Sequence, residues 1–288
     1  MIPFLFMKKD AKERKEIVND YYARLVRGRK KIGELDDWCL LNLGIIGINN
    51  FKDVVTAELE VLNNIKVYMD KNTINLPNSL KTYIINTLYE KGIDKVQFAQ
   101  MIEVTVCPYC NRNFINASSK KKIVTSQIDH FFNKSQYSIM AVSFYNLIPV
   151  CPSCNRIKST EQFSYSPYDE RARADELLRF SFEITDVDFL NHIEVVIAYQ
   201  NKKIKDNINI LGLDELYKIH NDVVRELIEK KMLYVDEYVY QMGKLLGNDN
   251  NLDEINRLIT GGYNQEKMYG KRPLSKLITD ISKEIGLI

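Results

Sequence analysis

Hydrophobic positions in the first hundred residues recur with helical spacing. Ile17, Tyr21 and Leu25 form a four-residue stripe in a highly charged segment, and residues 51–70 and 78–91 carry similar spacing. Residues four apart lie on one face of an α-helix, so these segments are predicted to be amphipathic helices. We therefore expect residues 1–100 to form an N-terminal helical region.

Helical spacing returns near the other end of the chain. Gly212 supplies a break and Asp214 a predicted N-cap for a helix that follows. Further helices are predicted at 252–260 and 273–285. One face of the helix after Gly212 is expected to carry Leu216, His220, Val223, Leu227 and Ile228.

The middle of the chain has a different pattern. Residues 123–130 begin with β-branched side chains and predict a strand, and 179–186 and 193–199 predict a pair of strands. The expected fold class is therefore α+β and mainly helical. We expect a central module at 101–165, then a β-hairpin and C-terminal helical region at 166–288.

Cysteines are the first residues to indicate chemistry. Of the five, Cys39 is solitary beside Trp38 and is interpreted as a small buried apolar residue. The other four form two C-x-x-C pairs separated by 40 residues, a spacing typical of two knuckles that build a tetrahedral zinc site. The alternative is two unrelated buried pairs. The expected zinc ligands are Cys107, Cys110, Cys151 and Cys154.

The distribution of charge along the chain bears on the kind of partner that the protein binds. The net charge is +2, yet residues 8–31 hold ten basic against four acidic side chains, and residues 101–160 hold seven against two. A local positive field suits a polyphosphate partner, although a solvated face is the alternative.

The apolar run from Met1 to Met7 is too short to span a bilayer, so we expect no membrane segment and a cytoplasmic location.

The residues between and beside the knuckles match the needs of phosphodiester hydrolysis. Such a reaction needs a base near neutral pH, a hard cation on oxygen ligands and positive charge for the phosphate. His130 offers the base, and Asp129 with Asn155 offers oxygen ligands. Arg156 and Lys158 offer phosphate contacts.

The order C-x-x-C, D-H, Y-N-L, C-x-x-C-N-x-x-K resembles the zinc-stapled HNH, or ββα-metal (His-Me finger), endonucleases. The resemblance covers residues 104–160, about a fifth of the chain. It implies that Asp129 and Asn155 bind a catalytic Mg²⁺ or Mn²⁺, that His130 is the general base, and that Asn146 orients the loop and the base. It also implies a central ββα module and a nucleic-acid substrate, with DNA favoured over RNA.

A narrower resemblance concerns residues 107–114, residues 129–159 and the flanking Ser166-Pro167-Tyr168. These residues are similar to the HNH proteins of bacterial anti-phage systems such as Septu, where an ABC-type ATPase accompanies the nuclease. That similarity implies a defence role and a protein partner. Two departures are visible: Asn155 stands where many relatives have His, and Asn133 and Ser138 stand where relatives often have Pro, which predicts a less rigid loop.

Each site residue also has a structural alternative. Asp129 could be a turn acceptor, Asn146 a loop cap, and Asn155 a left-handed knuckle residue like Asn111. At the level of the whole protein, the alternatives are an RNA- or tRNA-cleaving nuclease, an inactive zinc-dependent nucleic-acid-binding module, and a scaffolding subunit. His192 and His220 are both interpreted as structural.

Overall fold

The computed structural model describes residues 9–103, 105–169, 173–188, 192–199, 202–233, 241, 244 and 252–288. The chain divides into two compact units. The N-terminal unit comprises Phe6–Glu103 and Asn116–Gln162. The C-terminal unit includes Val104–Ile115 and Phe163–Ile288. The division into regions 1–100, 101–165 and 166–288 stays a prediction.

Helices account for most of the N-terminal unit. The predicted stripe in the first helix is confirmed at Tyr21 and Leu25, which are buried together with Val18. Asp10 caps this helix by accepting a hydrogen bond from the backbone N–H of Glu13. The helices before the first strand are α1 (Ala11–Val26), α2 (Ile32–Leu43), α3 (Phe51–Thr56), α4 (Leu59–Asn72), α5 (Asn78–Tyr83) and α6 (Lys95–Ile102).

Two predicted helical segments are interrupted. The 51–70 pattern divides at Ala57 and Glu58, whose extended backbones separate α3 from α4. The 78–91 pattern continues from α5 into a π-helical segment, Ile84–Tyr89. There the backbone pairs five residues apart, as Glu90 N–H does with the Ile85 carbonyl oxygen at 3.0 Å. Amphipathic spacing shows which positions face a core, but it cannot show where tertiary packing breaks or widens a helix.

Two small antiparallel sheets complete the N-terminal unit. Strands β1 (Ala117–Ser118) and β2 (Ile123–Val124) form a short hairpin. Strand β3 (Gln127–His130) pairs with β4 (Leu147–Val150), which is followed directly by helix α7 (Pro152–Lys158). The single strand predicted at 123–130 is therefore wrong at residues 125 and 126, which separate β2 from β3.

The C-terminal unit is built on the predicted hairpin. The strands pair antiparallel over their whole length, from Leu178↔Tyr199 to Ile184↔Ile193, and bury Phe180 and Val195. Within the described residues, the α-helices and strands of this unit are α8 (Ala174–Leu177), β5 (Leu178–Ile184), β6 (Ile193–Tyr199), α9 (Lys202–Leu211), α10 (Leu213–Tyr217), α11 (Asn221–Leu233), α12 (Leu252–Thr260) and α13 (Ser275–Glu284).

The helix predicted after Gly212 differs in detail. A short 3₁₀ segment at 218–220 separates α10 from α11 and shifts the buried face to Tyr217, Val224 and Leu227. The N-cap is Gly212 itself, with a left-handed backbone, and Asp214 lies in the first turn. Of the predicted stripe, therefore, only Leu227 is fully buried.

The described residues form a mainly helical α+β protein with small sheets, as the sequence predicts. Among these residues, no helix has the length and apolar character needed to cross a membrane.

Candidate functional site

Strand β3 presents the predicted acid and base on opposite faces. In the ladder with β4, Asp129 lies opposite Ile148, and His130 lies opposite Leu147. Because successive side chains of a strand alternate, Gln127 and Asp129 share one face and His130 lies on the other. Both Asp129 and His130 are buried, with 4% and 8% of their surface exposed.

Helix α7 faces the Asp129 side of β3. Its Asn155 side chain donates from Nδ2 to Oε1 of Gln127 at 2.7 Å. That bond uses the amide nitrogen of Asn155, whereas a hard cation would take the amide oxygen. Asn155 lies within a right-handed helix, so the alternative that it is a left-handed knuckle residue is wrong. Asn111 does adopt that conformation, with φ 51°.

Lys158 lies one turn beyond Asn155 and is buried. Its ammonium group is 3.2 Å and 3.1 Å from the two carboxylate oxygens of Asp129 and donates to the His130 carbonyl oxygen at 3.1 Å. Three acceptors match the three protons of an ammonium group, as a buried charge requires. A phosphate contact by Lys158 would require its ammonium group to leave Asp129. Such a contact therefore has no support in this arrangement and stays a prediction. Arg156, by contrast, is exposed.

His130 is held as a neutral imidazole. Its Nε2 lies 2.9 Å from the Ala141 carbonyl oxygen. A carbonyl only accepts, so Nε2 carries the proton and Nδ1 carries the lone pair. Burial lowers the pKa of His130 to about 3; the hydrogen bond to Ala141 opposes this, and the charges of Lys134 and Lys158 add to it. The ring is therefore uncharged at neutral pH, as a general base must be.

Asn146 closes the loop between β3 and β4. It is fully buried, and its Oδ1 accepts from Phe132 N–H at 2.6 Å. Its Nδ2 donates to the carbonyl oxygens of Phe132 and Met140, at 3.2 and 2.9 Å. Met140 directly precedes Ala141, the hydrogen-bond partner of His130. Asn146 therefore ties the two ends of this loop to the residue next to Ala141, and its role in orienting the base stays a prediction.

The four predicted zinc ligands lie together. Their sulfur atoms are all within 4.8 Å of one another, and all four cysteines are buried and free of disulfides. Zinc–sulfur bonds of about 2.3 Å would place tetrahedral sulfurs about 3.8 Å apart. Four thiols without a fifth ligand make a closed structural site rather than a catalytic one. The cluster fits zinc by its chemistry, its spacing and its burial.

The first knuckle forms a closed turn around its two cysteines. The backbone N–H of Asn111 donates to the Cys107 carbonyl oxygen at 2.9 Å, which closes the turn. The backbone N–H of Arg112 points at the sulfur of Cys110, and the distance from Arg112 N to Cys110 Sγ is 3.4 Å. An N–H group directed at sulfur stabilises the thiolate form, which is the form that binds metal.

Sequence analysis missed several residues that contact the site. The sequence does not indicate Gln127, because a glutamine in a strand belongs to no local motif. Tyr89 lies in a segment expected to be an ordinary helix, yet its ring centroid is 4.7 Å from that of His130. Lys134 places its ammonium 4.4 Å from the Tyr89 ring centroid. The only hint in the sequence was that Lys134 closely follows the Asp-His pair.

Residues 107–161 match the sequence model of the family described as HNH endonuclease. This segment contains both cysteine pairs, β3, β4 and α7. No curated protein and no solved structure matches the chain. The chain therefore carries an HNH endonuclease domain together with a four-cysteine cluster that can hold zinc. The match favours nuclease activity on a nucleic acid.

We predict about one tightly held zinc ion per chain. Cys154→Ser should lower the thermal midpoint and the zinc content, because metal-binding energy in such a site is folding energy. Cys39→Ser is the matched control, since Cys39 is buried in α2 and outside the cluster. Elemental analysis and thermal unfolding with and without a strong chelator measure both effects. Zinc-free protein with unchanged stability would contradict the prediction.

Proposed function

We propose that this protein is a metal-dependent HNH endonuclease that hydrolyses phosphodiester bonds, with DNA as the favoured substrate. The observation that carries the proposal is the packing of α7 on β3. It brings Asn155 to the face of Asp129 and leaves a neutral His130 at the adjacent position, all within the segment that matches the family. Two strands followed by a helix is also the order that a ββα-metal module has.

Asp129 and Asn155 are suited to hold the catalytic cation. Carboxylate and amide oxygens are what Mg²⁺ and Mn²⁺ take. Asn155 contacts Gln127, two strand residues before Asp129 on the same face, a separation of about 7 Å along a strand. A cation bound there would neutralise charge on the phosphate and the departing oxygen. The Lys158 ammonium group contacts both oxygens of the Asp129 carboxylate, so a bound cation would share these oxygens with it.

His130 supplies the proton acceptor. In the proposed reaction, Nδ1 takes a proton from water while the water oxygen bonds to phosphorus. The bond from phosphorus to the 3′ oxygen then breaks, and the 3′ oxygen takes a proton from solvent. The hydrogen bond from Nε2 to Ala141 keeps the tautomer that this step needs.

The defence role and the ABC-type ATPase partner belong to the proposal as well. They rest on the resemblance of the 129–159 segment and on the amount of helical chain outside the domain. Co-purification from the native host followed by light scattering measures whether a partner is bound. A lone monomer that is fully active without added protein or nucleotide would contradict this part of the proposal.

We predict that His130→Ala lowers cleavage by about 10²- to 10⁴-fold, the usual contribution of a general base, with zinc content unchanged. His192→Ala is the matched control, because His192 is exposed in the C-terminal unit. The assay incubates labelled plasmid and total RNA with Mg²⁺, Mn²⁺ or EDTA.

The same assay separates the alternatives. Cleavage of RNA alone would replace DNA by RNA as substrate. Binding without cleavage would favour an inactive nucleic-acid-binding module, and neither binding nor cleavage would favour a scaffolding subunit.

We also predict that Asn155→Ala weakens cleavage mainly by raising the Mg²⁺ concentration needed for half-maximal rate. Asn155→Asp should retain much of the activity, because it keeps an oxygen ligand at the same position. Titrating Mg²⁺ and Mn²⁺ against the initial rate measures the effect. If Asn155→Ala shows the metal dependence of the parent, Asn155 serves only to hold Gln127.

A further inference from the structure

The proposed site needs a positively charged side chain that is exposed to solvent and can contact a phosphate of the substrate. Lys158 is only 2% exposed, and its ammonium group is engaged by Asp129 and the His130 carbonyl oxygen. Arg156 is exposed but lies on α7, on the Asp129 side of β3. The His130 side of the strand therefore needs a positive group of its own.

Lys134 lies on that side, at the end of a stack of three groups. Its ammonium is 4.4 Å from the centroid of the Tyr89 ring, and that ring is 4.7 Å from the ring of His130. Tyr89 and His130 are buried, at 5% and 8% exposure, whereas the Lys134 side chain is 37% exposed. Lys134 is thus the member of the stack that solvent reaches most easily.

The loop that carries Lys134 is fixed by hydrogen bonds. Ser138 donates from Oγ to the Lys134 carbonyl oxygen at 2.8 Å. Asn133 accepts at Oδ1 from Ser135 N–H at 2.8 Å, and Lys81 donates to the Ser135 carbonyl oxygen at 3.1 Å. Asn133 and Ser138, which stand where relatives often have Pro, therefore cap this loop with their side chains. An ordered backbone lowers the entropy cost of using Lys134 as a ligand contact.

The Lys134 side chain is only loosely neutralised. Its ion-pair partner, Glu90, is 3.9 Å away, and both side chains are substantially exposed, at 37% and 50%. An exposed pair at that distance contributes little to stability, so an incoming phosphate oxygen can replace the carboxylate at small cost.

We propose that Lys134 contacts a non-bridging phosphate oxygen of the bound nucleic-acid backbone, across the Tyr89 ring from His130. The ligand is the phosphodiester backbone of the nucleic acid, contacted without regard to base sequence. This inference rests on the proposed nuclease function. It assigns to Lys134 a contact for which sequence analysis had named Arg156 and Lys158.

The test compares Lys134→Gln and Lys134→Arg with the parent under single-turnover conditions. Losing a charge-assisted phosphate contact should lower kcat/KM by about 10- to 100-fold in Lys134→Gln, and Lys134→Arg should restore most of it. Lys52→Gln is the matched control: Lys52 is an exposed lysine 5.8 Å from the Tyr22 ring in the same unit and should behave as the parent.

Binding and stability readouts separate a substrate contact from a structural role. In a His130→Ala background, Lys134→Gln should lower the slope of log affinity against log salt by about one unit. The thermal midpoint should stay at the parent value. Cleavage at the parent rate, an unchanged salt slope, or a loss of activity that follows a loss of stability would each overturn the inference. Failure of the parent to cleave any nucleic acid would instead remove the proposed function, and this inference with it.

Discussion

A buried ion pair between Lys158 and Asp129 joins the last turn of α7 to the end of β3. Because both groups are removed from water, deleting one partner would leave an uncompensated buried charge, which typically costs about 3–5 kcal/mol. The same lysine also holds the His130 carbonyl oxygen. One side chain therefore fixes the backbone at His130 and the carboxylate at Asp129. The positions of both proposed catalytic groups depend on it.

Helix α7 is held at its last residue by Lys158, and a zinc ion in the four-cysteine cluster would hold its beginning. Cys151 and Cys154 stand at its beginning, within the four-cysteine cluster, and Lys158 is its last residue. Asn155 lies between these two fixed points and contacts Gln127. A short helix has little stability of its own, so the placement of Asn155 comes from the anchors rather than from helix propensity.

The sequence predicted the features that local patterns encode. The β5–β6 pairing and α12 follow from alternation and helical spacing, and the cysteine cluster follows from a specific spacing of reactive residues. Burial of Lys158 was not predictable, since a lysine three residues after an asparagine looks like an exposed helix position. The contacts of His130 with Tyr89 and Ala141 join residues 41 and 11 positions apart, and no local pattern records such a pairing.

The π-helical segment that ends at Tyr89 has a consequence for how this region can vary. A π-helix is equivalent to an α-helix with an inserted residue, and each residue of an α-helix turns the chain by about 100°. Deleting one residue from Ile84–Tyr89 would restore regular pairing and rotate Tyr89 away from His130 without changing the chemical character of the segment. A deletion in this helix would therefore disturb the site more than a substitution of one of its side chains.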